Sequence, residues 1–113
     1  MDPTCRLITY GTLAPGRANH HQLDGLDGRW LTGSVRGVLT QAGWGADLGY
    51  PALILESDGP VVDVHIFESV DLPSHWSRLD EFEGSGYQRV ITTANTAEGD
   101  LEASIYVLNP ATQ

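Results

Sequence analysis

The chain has 113 residues, one Cys, six basic residues that are all Arg, fifteen acidic residues and a formal net charge of −9. That is one domain, long enough to bury a core without a disulfide or metal staple. The charge opposes nucleic-acid and anionic-membrane binding, and the lack of Lys excludes Schiff-base and P-loop lysine chemistry.

Residues 5–10 alternate and read as a strand. That strand breaks into Tyr10-Gly11-Thr12-Leu13, with Pro15-Gly16 behind it. A strand ending in a glycine turn leaves several N–H groups pointing one way, a nest for an anion or a developing oxyanion. Many strands end so for geometric reasons alone. Residues 17–27 are polar, with a short helix after Asn19, and Val35–Thr40 reads as a second strand. Gln41–Leu48 reads as a loop around Trp44. Tyr50–Glu56 and Val61–Glu68 are strands separated by the turn Ser57-Asp58-Gly59-Pro60.

Residues 72–83 carry the clearest helical pattern. Asp71 is placed to cap it, Pro73 suits its first turn, and Gly84 stops it. Leu72, Trp76, Leu79 and Phe82 make one apolar stripe. Tyr87–Ala94 and Leu101–Asn109 are two further strands, joined by Asn95–Asp100. So many strands in so short a chain favour a small closed or nearly closed barrel with a helix packed on it, an α+β fold.

Glu83 follows Leu79 by four residues and Trp76 by seven, which puts it on the buried face of that helix. Asp80 and Glu81 point more outwards. Glu83 also stands at the helix C-terminus, where the dipole disfavours negative charge. Both effects raise its pKa and make it a usable general base near neutrality. A solvated acid in a last helical turn is the other reading of the same spacing.

Four segments, taken in order, resemble the γ-glutamylcyclotransferase-like (AIG2-like) proteins. They are Tyr10-Gly11-Thr12-Leu13 with Pro15-Gly16 and Asn19-His20; Gly37-Val38-Leu39 with Gly49-Tyr50-Pro51-Ala52; Leu79-Asp80-Glu81-Phe82-Glu83-Gly84 with Tyr87-Gln88-Arg89; and Ala103-Ser104-Ile105-Tyr106-Val107. The resemblance spans most of the chain. It implies a small mixed, mostly antiparallel β-barrel of about six strands with one or two flanking helices. It implies Glu83 as the catalytic acid/base, Tyr10, Gly11, Thr12 and Leu13 as the loop holding a γ-glutamyl group, and Tyr87 as a pocket-lining residue. Tyr106 matches more loosely. The implied reaction is intramolecular aminolysis, which releases 5-oxoproline and an amine or amino acid without metal or cofactor. Many members carry Gly-Glu in the fourth strand, where this chain has Val64-His65.

Other candidates are set aside. His20, His21, His65 and His75 lack zinc-site spacing. Cys5 reads as a core thiol in the first strand, and Ser85 does not match a nucleophile elbow. Trp30 and Trp44 read as packing or pocket rim, Trp76 as helix-face core, and Arg89 as one half of a surface ion pair. No apolar run reaches membrane-spanning length, and the first residues lack the pattern of a signal peptide. With a single Cys, this favours a cytoplasmic protein acting on a small γ-glutamyl substrate as a monomer or homodimer. The competing readings are a non-catalytic small-molecule binding module on the same barrel and, more weakly, a purely structural partner protein.

Overall fold

A computed structural model describes residues 2–10, 23, 25–41, 51–84 and 86–108. Six strands follow one another: β1 (Arg6–Thr9), β2 (Arg29–Gln41), β3 (Pro51–Leu55), β4 (Val61–Glu68), β5 (Tyr87–Thr96) and β6 (Gly99–Leu108). One α-helix, α1 (Trp76–Glu83), lies between β4 and β5. The sheet order is β3-β2-β4-β1-β6-β5, and β2 pairs again with β5. Five strands therefore close into a barrel, with β3 attached to the outer stretch of β2. The β1–β6 pairing is parallel and the others are antiparallel. The expected mixed, mostly antiparallel barrel with a helix on it is the observed fold.

Strand alternation sorts the apolar residues into two cores. On β1, Ile8 faces the barrel interior with Val35, Leu53, Val64, Ile66 and Ile105. Leu7 faces the helix side with Phe67, Leu72, Trp76, Leu79 and Tyr106. On β6 the same alternation sends Ile105 and Val107 inward and Tyr106 towards the helix.

Closure depends on one close approach. β2 meets β5 only at Gly33 and Ser34. A Cβ at Gly33 would stand 2.7 Å from the Asn95 carbonyl oxygen, so a side chain there would push β5 away. Beside this seam, Glu68 accepts from Arg6 Nε and Arg29 Nε, both at 2.8 Å, and Arg29 also pairs with Glu98 at 3.0 Å. One carboxylate thus joins β1 and β2 to β4, and Arg29 extends the tie to the β5–β6 turn.

Several local expectations change. The second strand runs from Arg29 instead of starting at Val35, because it stays paired with β4 over its whole first half. The β5–β6 turn is tighter than Asn95–Asp100, since Asn95↔Asp100 and Thr96↔Gly99 are already paired. The helical segment is split into a 3-10 turn at Leu72–Ser74, with Pro73 in it, and then α1. Asp71 makes no side-chain cap; its carboxylate accepts from the Asp27 N–H at 2.9 Å instead. Gly84 does end the helix, with φ +80° and its N–H on the Asp80 carbonyl. Cys5 sits in a 3-10 turn before β1, half-buried, and not in the strand. The helix expected after Asn19 and the loop around Trp44 lie outside the described residues, apart from isolated positions near the ends.

Candidate active site

Glu83 is the last residue of α1, and its position follows from the apolar face that docks the helix. Leu72 and Leu79 are fully buried, Trp76 nearly so, and Phe82 is half-buried against the same cluster. Trp76 is fixed further by its indole N–H, which donates to the Thr4 carbonyl at 2.9 Å. The helix is therefore held at a set rotation, and Glu83 is drawn partly under cover with its stripe. Burial pushes its carboxyl pKa up to about 7.

Three tyrosines from three strand ends gather around that carboxyl. Tyr10 follows β1, Tyr87 begins β5, and Tyr106 lies near the end of β6. Each phenol feels the Glu83 charge, and each is raised above the ordinary tyrosine range with burial as the main cause. The Tyr10 hydroxyl is fully engaged. It donates to the Tyr106 carbonyl at 2.5 Å and accepts from the Leu53 N–H at 3.0 Å. The Tyr106 hydroxyl donates to Asp80 Oδ1 at 2.6 Å. Neither phenol therefore has its proton directed at Glu83.

Asp80 points outward as expected and is exposed, but β5 and β6 supply partners for it. Arg89 donates to it through Nε at 2.9 Å and Nη2 at 3.2 Å, and Tyr106 adds the third bond. The Arg89 guanidinium also lies over the Trp76 ring, 4.4 Å from its centroid. Arg89 is thus one half of a surface ion pair, as its sequence reading has it. The pair holds the Asp80 carboxyl below the usual range while burial lifts Glu83. Two acids three residues apart on one helix are thereby separated: Asp80 stays ionised, and Glu83 exchanges its proton near neutrality.

Of the expected site residues, Glu83, Tyr10 and Tyr87 come together. Gly11, Thr12 and Leu13 lie outside the described residues, as does Ser85. Tyr106 belongs with the first three more closely than its loose sequence match implies. Its inclusion was detectable only as one outward position in the alternation of β6. The Val64-His65 departure divides between two faces. Val64 fills the barrel core, while His65 faces outward with its ring 6.5 Å from that of Trp30. Among the described residues no group of three His, Cys, Asp or Glu side chains is placed to hold a metal ion. No helix among them is long and apolar enough to cross a membrane.

A small mixed barrel closed between β2 and β5, with β1 and β6 paired in parallel and a partly buried glutamate at the end of α1, defines the class. The chain belongs to the gamma-glutamyl cyclotransferase, AIG2-like family, whose profile matches residues 7–113. Solved structures share the fold. An AIG2-like protein from Mus musculus matches with a TM-score of 0.73 and 25% identity, covering 96% of this chain and 81% of that one. YkqA from Bacillus subtilis matches with a TM-score of 0.70 and 24% identity over 93% of this chain, which spans only 36% of YkqA. Kluyveromyces lactis allophanate hydrolase contains the fold as 18% of its length, with a TM-score of 0.70, 13% identity and 96% of this chain covered. No functionally curated protein matches the sequence significantly.

Proposed function

We propose that this chain is a γ-glutamylcyclotransferase-type enzyme that converts a γ-glutamyl amide into 5-oxoproline and a free amine. The observation that supports this reading is Glu83: a partly buried carboxyl with a pKa near 7, at the meeting point of three strand ends. The substrate's α-ammonium gives a proton to the Glu83 carboxylate. The freed amine attacks the γ-carbonyl carbon and closes the five-membered ring. The bond from that carbon to the leaving nitrogen then breaks, and Glu83 returns the proton to that nitrogen. Atoms balance without water, metal or a covalent enzyme intermediate. A base so placed contributes on the order of 10²–10⁴ in rate, and the nucleophile's attachment to its own electrophile contributes further. In this reading the N–H groups of Gly11, Thr12 and Leu13 receive the oxyanion.

The test is a panel of γ-glutamyl amides and peptides assayed for 5-oxoproline. Open γ-glutamyl amides give 5-oxoproline as the first product, and N-acetyl-γ-glutamyl amides give none, because the acetyl group blocks the nucleophile. The ring nitrogen loses its second proton as the lactam forms, and the released amine carries it away as ammonium. Glutamate as first product, or cleavage of an acetylated substrate, rejects cyclisation in favour of hydrolysis.

A second reading is a binding module that keeps the barrel and uses Glu83 to pair with a ligand amine. The presence of this fold as a small part of a protein named for a different activity is the observation in its favour. It predicts binding of γ-glutamyl compounds with no turnover across the whole panel.

A further inference from the structure

A hollow of about 250 Å³ lies between β3 and the paired ends of β5 and β6. Its walls are Leu53 and Leu55 on one side and Val90, Val107 and Leu108 on the other, with Gln88 at its rim. Among its described lining residues none is charged, and only exposed Gln88 has a polar side chain.

The hollow adjoins the Glu83 cluster through the tyrosines. Tyr10 accepts from the Leu53 N–H in one wall. It donates to the carbonyl of Tyr106, the neighbour of Val107 in the other wall. Tyr87, the register partner of Leu108, precedes Gln88 and feels the Glu83 charge. Tyr10 feels that charge too and packs against the same barrel core as Leu53, Leu55, Val90 and Val107.

Pockets that take a whole small molecule are usually ~300–1,000 Å³, so this one fits part of a ligand. Which part follows from the order of bonds in the substrate. The α-amine and the γ-carbonyl must both lie beside Glu83, and whatever is bonded beyond the leaving nitrogen projects away from it. The geometry points to this hollow as the seat of that leaving group, and to an uncharged alkyl or aryl amine as its chemistry. The inference rests on the cyclotransferase reading for its account of turnover, but not for the existence of the site. An ammonium or carboxylate on the leaving group would lose its water against these walls without a partner among them. A methylene entering them is favoured about fourfold in affinity.

The experiment compares γ-glutamyl methylamide, n-butylamide and 4-aminobutylamide. With the wild-type chain, kcat/KM for 5-oxoproline release rises at least tenfold from methylamide to butylamide, and the aminobutylamide falls at least tenfold below the butylamide. Gln88→Glu, at an exposed rim position, narrows that last gap several-fold by offering the ammonium a partner. A flat series, or a preference for the aminobutylamide in the wild type, overturns the inference. Binding is read separately in Glu83→Gln by backbone amide NMR. Butylamide shifts the amides of Leu53 to Leu55 and of Gln88 and Val107 more than methylamide does. Equal shifts with the two ligands overturn the hollow as a site. Chain-length-dependent shifts without turnover in the wild type support the hollow and reject the cyclotransferase reading.

Discussion

A carboxyl that titrates near pH 7 gives Glu83 two measurable signatures. As the base it must be ionised, so kcat/KM for 5-oxoproline release falls on the acid side with an apparent pKa near 7. In Glu83→Gln turnover drops by at least 10², because the amide cannot take the ammonium proton. The second signature is in stability. The folded pKa of Glu83 is raised from the ordinary carboxyl value of 4.5, so between the two values the folded state binds more protons than the unfolded one. Stability is therefore lost as pH rises through that window. Glu83→Gln is expected to melt several degrees above wild type at pH 8 and to converge with it near pH 5, as read by circular dichroism. A variant that melts lower at pH 8 would mean that the carboxylate is held by partners and not stranded by burial. The placement of Glu83 was legible in the sequence because one helix face suffices to fix it. The bonds of Tyr10 and Tyr106 were not, since Tyr10 meets a carbonyl 96 residues away. Asp80 does point outward as expected, but its partners, which arrive on other strands, were not legible.

Among the elements, β3 stands apart: among the described residues its strand pairing is with β2, and beyond the core packing of Leu53 it is tied to Tyr10 through the Leu53 N–H. Tyr10→Phe keeps the ring and removes that tie. Leu53 loses its acceptor and the Tyr106 carbonyl loses its donor, a cost of about 1–2 kcal/mol. Hydrogen exchange should quicken at Leu53 far more than in β4, which is paired on both edges. Exchange unchanged at Leu53 would show that β3 needs no tie. The strands themselves were readable from alternation and turn residues. The start of β2 was not, because Arg29 to Ser34 lack a clear apolar alternation and take strand form from their β4 partners. The helix cap failed as an expectation because Asp71 found a better donor in Asp27 across the fold.

For the whole molecule, three adjacent strands of the barrel are joined by charge as well as by backbone, Glu68 on β4 holding Arg6 on β1 and Arg29 on β2. The side chains of Arg6 and Glu68 are 11% and 10% exposed, so removing the acid takes the counter-charge from a covered guanidinium that keeps its bond to the Glu102 carbonyl. Glu68→Gln is expected to cost about 3 kcal/mol, measured as a lower urea midpoint. Arg6 first, then Arg29, holds the Glu68 carboxyl below its ordinary range. Its contribution is present above the unfolded pKa and lost as pH falls through the folded one, so the gap between variant and wild type closes on acidification. A gap that persists in acid would assign the loss to packing. A closed barrel could be inferred from the number of strands. Which strand met which could not, because register is set by partners and not by the strand's own residues.

The pairing of β1 with β6 has a consequence for how the chain is made. The first of the six described strands lies between β4 and β6, and its Leu7 and Ile8 are covered only when both are present. During synthesis that apolar pair waits, uncovered, for the last strand to emerge. Folding is then governed by the longest loop closure in the domain, which places it among slow, non-local folders with relaxation in milliseconds to seconds. A chain ending at Thr96, with five of the six strands made, is expected to stay an uncooperative, aggregation-prone collapse. A sharp urea transition in that truncated chain would show that the first five strands and the helix form a stable unit before closure. If they do not, nothing near Glu83 takes shape until β6 has left the ribosome.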